Sequence, residues 1–127
     1  LHSRCGDVPC VVGGYSLGGL FALWASCKTE LFVGVAAVSP SVWIKNWTVF
    51  AENNHTHAKS VYLSLGDREE HARNQRMAAV GPCLRRQHEL LLQQLSAEHT
   101  VLEWNKGGHF DDEAGRMARG FVWNVDY

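Results

Sequence analysis

The sequence predicts an α/β fold built on a parallel sheet. Short apolar runs alternate with helix-length segments four times along the chain. That order implies parallel pairing through right-handed crossovers. Composition agrees: 46% of the 127 residues are hydrophobic and 20% are charged, enough for a packed core and unlike a disordered chain. The length allows one domain at most.

The elements follow in order. Cys10 to Gly14 (CVVGG) is the first strand, ended by glycines. In Leu17 to Lys28, Leu20, Phe21, Leu23 and Trp24 make a helix buried on most sides. Phe32 to Val38 (FVGVAAV) is the second strand, stopped by Ser39-Pro40. Trp43 to Asn53 is mixed and reads as one helical stretch. Ser60 to Leu65 is the third strand, stopped by Gly66. Glu69 to Glu98 reads as helical with a break at Gly81-Pro82, and Leu84, Leu91, Leu92 and Leu95 lie on one face of its second half. Val101 to Trp104 is the fourth strand. In the last helix Ala114, Met117, Ala118, Phe121, Val122 and Val125 keep the spacing of one apolar face. Asp111 and Asp112 precede it, suited to a cap and to the positive end of the dipole.

Charge and cysteine usage narrow the function. The chain carries 12 Lys and Arg against 13 Asp and Glu, a formal net charge of −1. That balance has no footprint for nucleic acid or an anionic membrane. No apolar run approaches the roughly 20 residues of a spanning helix. Leu1 to Cys10 has no apolar signal-peptide core. The first residue is Leu, and the chain reads as part of a longer one. Cys5, Cys10, Cys27 and Cys83 form neither a disulfide framework nor a zinc spacing, which points to a reducing, cytoplasmic compartment. The sequons at Asn46 and Asn54 read as chance triplets.

In parallel sheets the functional residues lie beyond the carboxyl ends of the strands. The first such loop is Gly14-Tyr15-Ser16-Leu17-Gly18, a G-x-S-x-G between a strand and a helix. This turn strains the nucleophile's backbone and projects its hydroxyl, with glycines two residues either side to avoid clashes. Ser16 is the candidate nucleophile. The Leu17 backbone N–H is placed to donate to a developing oxyanion. The third loop, Gly66-Asp67-Arg68-Glu69-Glu70, offers three carboxylates to fix a histidine tautomer. Glu69 leads, because an acid three residues past the strand-ending glycine can turn back over the sheet; Asp67 and Glu70 are the alternatives. In the fourth loop, His109 follows Gly107-Gly108 and precedes a helix, where it can reach Ser16 as general base.

The order Ser16, Glu69, His109 is that of α/β-hydrolases. The chain resembles the C-terminal part of their putative-esterase branch, which includes esterase D and the enterobactin-type siderophore esterases. The resemblance rests on Gly14-Tyr15-Ser16-Leu17-Gly18-Gly19-Leu20-Phe21-Ala22-Leu23, Ser39-Pro40-Ser41-Val42-Trp43, Leu63 to Glu70 and Gly107-Gly108-His109. It implies a three-layer α/β-hydrolase fold, of which residues 1–127 are a single partial domain: the C-terminal half, about four parallel strands flanked by helices. It also implies hydrolysis of a small-molecule carboxylic ester through an acyl-enzyme, without cofactor or metal. The family's N-terminal half would supply a second oxyanion donor and half of the pocket. The chain alone is therefore expected to be weakly active or inactive, and to self-associate through the open edge of its first strand.

Other features weigh less. His55 and His57, with His71, lack a fourth metal ligand and read as a polar loop. Arg68, Arg73, Arg76, Arg85 and Arg86 read as a solvated face, with reception of an acidic substrate as the sharper alternative. Tyr15 and Trp43 are candidate pocket residues. An acyltransferase or peptidase would use the same triad, and a non-catalytic half-domain would use only the open sheet.

Overall fold

The computed structural model describes residues 8–126. Cys5 and most of the Leu1–Cys10 segment lie outside them. Four strands form one parallel sheet in chain order: β1 (Cys10–Tyr15), β2 (Phe32–Val38), β3 (Ser60–Gly66) and β4 (Thr100–Asn105). Between and after them lie α1 (Leu17–Lys28), α2 (Trp47–Asn53), α3 (Gln75–Ala78), α4 (Val80–Gln94) and α5 (Glu113–Asp126). A 3-10 turn spans Glu69–His71.

Period-two alternation divides the strand residues between two faces. Val35, Ala37, Val61, Leu63 and Leu65 point into the main core with Ala22 and Leu23 of α1, Trp47 and Ala51 of α2, and Leu84 and Leu91 of α4. The opposite face, with Gly34, Ala36 and Tyr62, receives α5. The sheet therefore lies between two helical layers. β3 is buried along its whole length, whereas every residue of β1 is half-exposed. Among the described residues β1 is an edge strand.

Several expectations change. The long segment after Glu69 does not break at Gly81-Pro82. It is interrupted at Ala72–Asn74, where Asn74 Oδ1 accepts from the Arg76 and Met77 N–H groups as an N-cap. Pro82 lies in the first turn of α4, where its missing N–H leaves no bond unmade. Residues 43–46 form turns, so α2 starts only at Trp47. Leu92 is exposed; Leu90 takes its place in the core, and Gln87 is buried with its Oε1 accepting from Trp47 Nε1 at 2.8 Å.

The largest departure concerns α5. Its apolar stripe does not face the sheet: Ala114, Ala118, Phe121, Val122 and Val125 are exposed and Met117 is half-buried. The buried residues are Arg116 and Gly120. Gly120 lets the helix come close; a Cβ there would lie 2.9 Å from Tyr62 and 3.1 Å from Ala36. Asn124 replaces apolar contact with hydrogen bonds, its Nδ2 donating to the Val35 carbonyl and its Oδ1 accepting from Ser60 Oγ. Of the stripe, Phe121 lies against Gly13 of β1.

Candidate active site

The loops after the four strands meet at the carboxyl end of the sheet. Ser16 joins β1 to α1 with φ 61° and ψ −119°. That left-handed conformation is unfavourable for a side chain and is held by the Ser16 N–H bond to the Val38 carbonyl (3.0 Å) and by the Ser16 carbonyl, which accepts from Ser41 N–H (3.1 Å). The glycines of the turn divide their work unequally. A Cβ at Gly14 would lie 2.2 Å from the Gly18 backbone, and one at Gly19 would press on Pro40 and the Gly14 carbonyl. A Cβ at Gly18 would meet nothing, so clash avoidance rests on Gly14 and Gly19 rather than on Gly14 and Gly18.

Ser16 Oγ and His109 Nε2 are 2.9 Å apart, and His109 Nδ1 lies 2.7 Å from Glu69 Oε1. Glu69 is buried. Its second oxygen accepts from Gly66 N–H at 2.7 Å and from Ser39 Oγ at 2.5 Å. Burial pushes the Glu69 carboxyl up, but the hydrogen bonds from His109, Ser39 and Gly66, and then the imidazole's charge, outweigh it and hold the group below the usual carboxylate range. The other two acids of this loop are engaged elsewhere. Asp67 Oδ1 accepts from Gly107 N–H at 3.0 Å, and Glu70 pairs with Arg85 at 2.8 Å.

The His109 loop is built by glycine. Gly107 has φ 116°, and a Cβ on Gly66 would strike the Gly107 carbonyl at 2.5 Å. Asp111 fixes this loop, its Oδ2 accepting from Gly108 N–H at 2.7 Å. Leu17 is the first residue of α1, so its N–H belongs to the donors that an α-helix leaves without an internal partner.

A cleft of about 160 Å³ opens over Ser16 and His109, with Trp43, Arg68, Met77 and Val80 in its walls. Tyr15 does not line it. Its side chain turns under the site, with the ring centroid 5.2 Å from that of His109, because its hydroxyl is drawn to Arg116 Nη1 at 3.4 Å. Ser41 Oγ lies 3.3 Å from Ser16 Oγ. Sequence reading gave Ser39, Ser41 and Arg116 no role. Between Gly115 and Gly120 the sequence has two arginines, Arg116 and Arg119, and nothing in it marks Arg116 as the buried one.

The remaining candidates lie away from the site or at its margin. His57 Nδ1 is 4.0 Å from Glu30, and no cluster of metal-ligating side chains occurs among the described residues. Arg86 pairs with Glu52 and Glu89, and Arg85 lies over the Trp104 ring; of the arginines in that stretch, Arg68 reaches the cleft. Cys27 and Cys83 are free thiols. No helix among the described residues is long and apolar enough to cross a membrane.

Parallel strands in this order, with a serine elbow after the first and a histidine after the last, define a fold of the α/β-hydrolase type. The model of the family described as "Putative esterase" matches residues 2–112, and the chain belongs to that family. Solved structures share the fold. Siderophore hydrolase EstA from Aspergillus nidulans superposes with a TM-score of 0.69 at 22% identity, over 94% of this chain and 50% of its own. Ferric enterobactin esterase from Salmonella typhimurium gives 0.62 at 22% identity, over 91% of this chain and 30% of its own. The enterobactin esterase from Shigella flexneri gives 0.62 at 24%, with the same coverage. The chain thus spans half or less of the length of these proteins. A search of curated proteins finds no match.

Proposed function

We propose that the chain carries the reacting half of a serine carboxylic-ester hydrolase. The observation behind this reading is the hydrogen-bonded series Ser16–His109–Glu69 on three separate loops, with Ser16 in a strained elbow. Ser16 Oγ attacks the ester carbonyl while its proton passes to His109 Nε2. Glu69 accepts from Nδ1–H, which fixes the tautomer and stabilises the imidazolium. The Leu17 N–H donates to the oxyanion. Collapse breaks the bond to the alcohol oxygen, which leaves with the proton from His109. Water then attacks the acyl-enzyme by the same route, releasing the acid and free Ser16.

The apolar walls formed by Trp43, Met77 and Val80 suit a small acyl group, and Arg68 suits an acidic one. The names of the structural relatives make a siderophore-type ester a candidate substrate. The test is turnover of short p-nitrophenyl esters, with intact mass recorded early in the reaction. The expected result is an initial burst and one acyl group per chain, both lost in Ser16→Ala. Hydrolysis that persists in Ser16→Ala overturns the reading. Transfer to an added alcohol in preference to water, or cleavage of a peptide instead of an ester, moves it to an acyltransferase or a peptidase.

A second property is favoured by the edge strand. Leu17, Phe21 and Trp24 of α1 and Phe121, Val122 and Val125 of α5 are exposed on the two sides of β1. An unpaired edge flanked by apolar side chains recruits a partner strand. We propose that the isolated chain self-associates there. Sedimentation should show species larger than the monomer, reduced by Trp24→Lys with Val122→Asp; a monomer at all concentrations contradicts this.

A further inference from the structure

We propose that Arg116 is a positioning residue for this site, clamping Glu69 and, through it, His109. The inference rests on the reading of Ser16, His109 and Glu69 as a triad. Arg116 is 1% exposed, the largest fully buried side chain among the described residues. Burying a guanidinium is costly unless its donors are used. Here each nitrogen serves the carboxyl end of a different strand. Nε donates to Asn105 Oδ1 at 2.9 Å at the end of β4, and Nη1 reaches Tyr15 Oη at 3.4 Å at the end of β1. Nη2 donates to Ser39 Oγ after β2 and lies 3.6 Å from Glu69 Oε2 after β3.

The consequence is a division between the two oxygens of Glu69. Ser39 Oγ accepts from the cation and donates to Oε2, so Arg116, Ser39 and Gly66 together hold that oxygen. Oε1 is left for His109 Nδ1. The same cation lies 5.6 Å from the Tyr15 ring centroid, and Tyr15 packs on His109, so Arg116 supports the imidazole from two directions. A residue serving only helix packing would not need a charge at this depth.

The titratable groups facing Arg116 are Glu69 from the β3 loop, Tyr15 from β1 and His109 beyond Glu69. On α5 itself Glu113 acts on Tyr15, while Arg119 is paired with Asp112 and Glu103. Removing the cation should therefore raise the midpoint at which Glu69 takes up a proton.

The experiment follows the Glu69 carboxyl carbon by NMR against pH in the ¹³C-labelled chain, beside the rate at which a fluorophosphonate labels Ser16. Arg116→Gln should raise the Glu69 midpoint by about one pH unit or more. It should also slow labelling about 10²-fold, with the acid limb moved to higher pH. Arg116→Lys should restore the midpoint and part of the rate. In a Glu69→Gln background, Arg116→Gln should cost little more. An unmoved Glu69 midpoint, or an equal loss at every pH that persists in Glu69→Gln, reduces Arg116 to packing and overturns the proposal. If Arg116→Gln does not fold, Arg116→Lys and Ser39→Ala decide: Ser39→Ala should also raise the midpoint, and no change there overturns the clamp. A wild-type chain that fails to label defeats the hydrolase reading, while the carboxyl titration still decides the hold of Arg116 on Glu69.

Discussion

The carboxyl end of the sheet and the flank along β1 are built on opposite terms. At the carboxyl end, charged and polar groups are buried and joined: Arg116, Ser39, Glu69 and His109 form one network. Along β1, apolar groups are exposed; Trp24 keeps 41% of its surface and Val122 56%. The first region spends desolvation on placing a few atoms. The second leaves hydrophobic free energy unused, about 25 cal/mol for each Å² of apolar surface that a partner would cover. The difference teaches that the proposed reacting groups are organised by loops contained in this chain, whereas the surface around β1 is suited to further contacts. Changes at one region should therefore leave the other untouched.

The strongest way to separate them is Glu69→Gln. Loss of the carboxylate removes tautomer control and should slow Ser16 labelling by about 10⁴-fold. The sedimentation of the chain should stay as in the wild type, and a change there would show that the two regions are coupled.

The elbow glycines give the next contrast. Gly14→Ala forces a Cβ against the Gly18 backbone, so it should destabilise the chain by about 1–3 kcal/mol and misplace Ser16. Gly18→Ala enters open space inside α1 and should be neutral or stabilise by up to about 1 kcal/mol. Denaturant midpoints of the two variants check the pair; equal losses would mean that the turn is not built as described.

The smallest effect is in acid. The folded-state value of Glu69 is depressed, so its contribution to stability is complete above the ordinary carboxylate value and is lost as pH falls through the lower, folded-state value. The denaturant midpoint should fall across that acid range, and less steeply in Glu69→Gln. An equally steep fall in the variant would place the acid sensitivity elsewhere.

Much of this contrast was legible in the sequence, and the part that was not has a physical explanation. The strands and the loops after them announce themselves, because Gly14, Gly66 and Gly107 must stand where backbones approach or turn. Ser16, Glu69 and His109 stand out because each sits in a glycine-bearing loop just after a strand, and the structure brings their side chains within hydrogen-bond distance. Arg116 was hidden because helical periodicity favours the apolar stripe of α5, and that stripe is not the face that packs on the sheet. The charge demanded by buried Glu69 and the close approach allowed by Gly120 set the face instead. Tyr15 stands outside the lining of the cleft for a related reason: its hydroxyl follows Arg116.

The most direct test of the central claim is intact mass after exposure to a fluorophosphonate, on the folded chain and on its Ser16→Ala and His109→Ala variants. The account predicts a single adduct on the wild-type chain, none on Ser16→Ala, and labelling slowed by orders of magnitude on His109→Ala. A folded wild-type chain without adduct, or an adduct that survives Ser16→Ala, would contradict it.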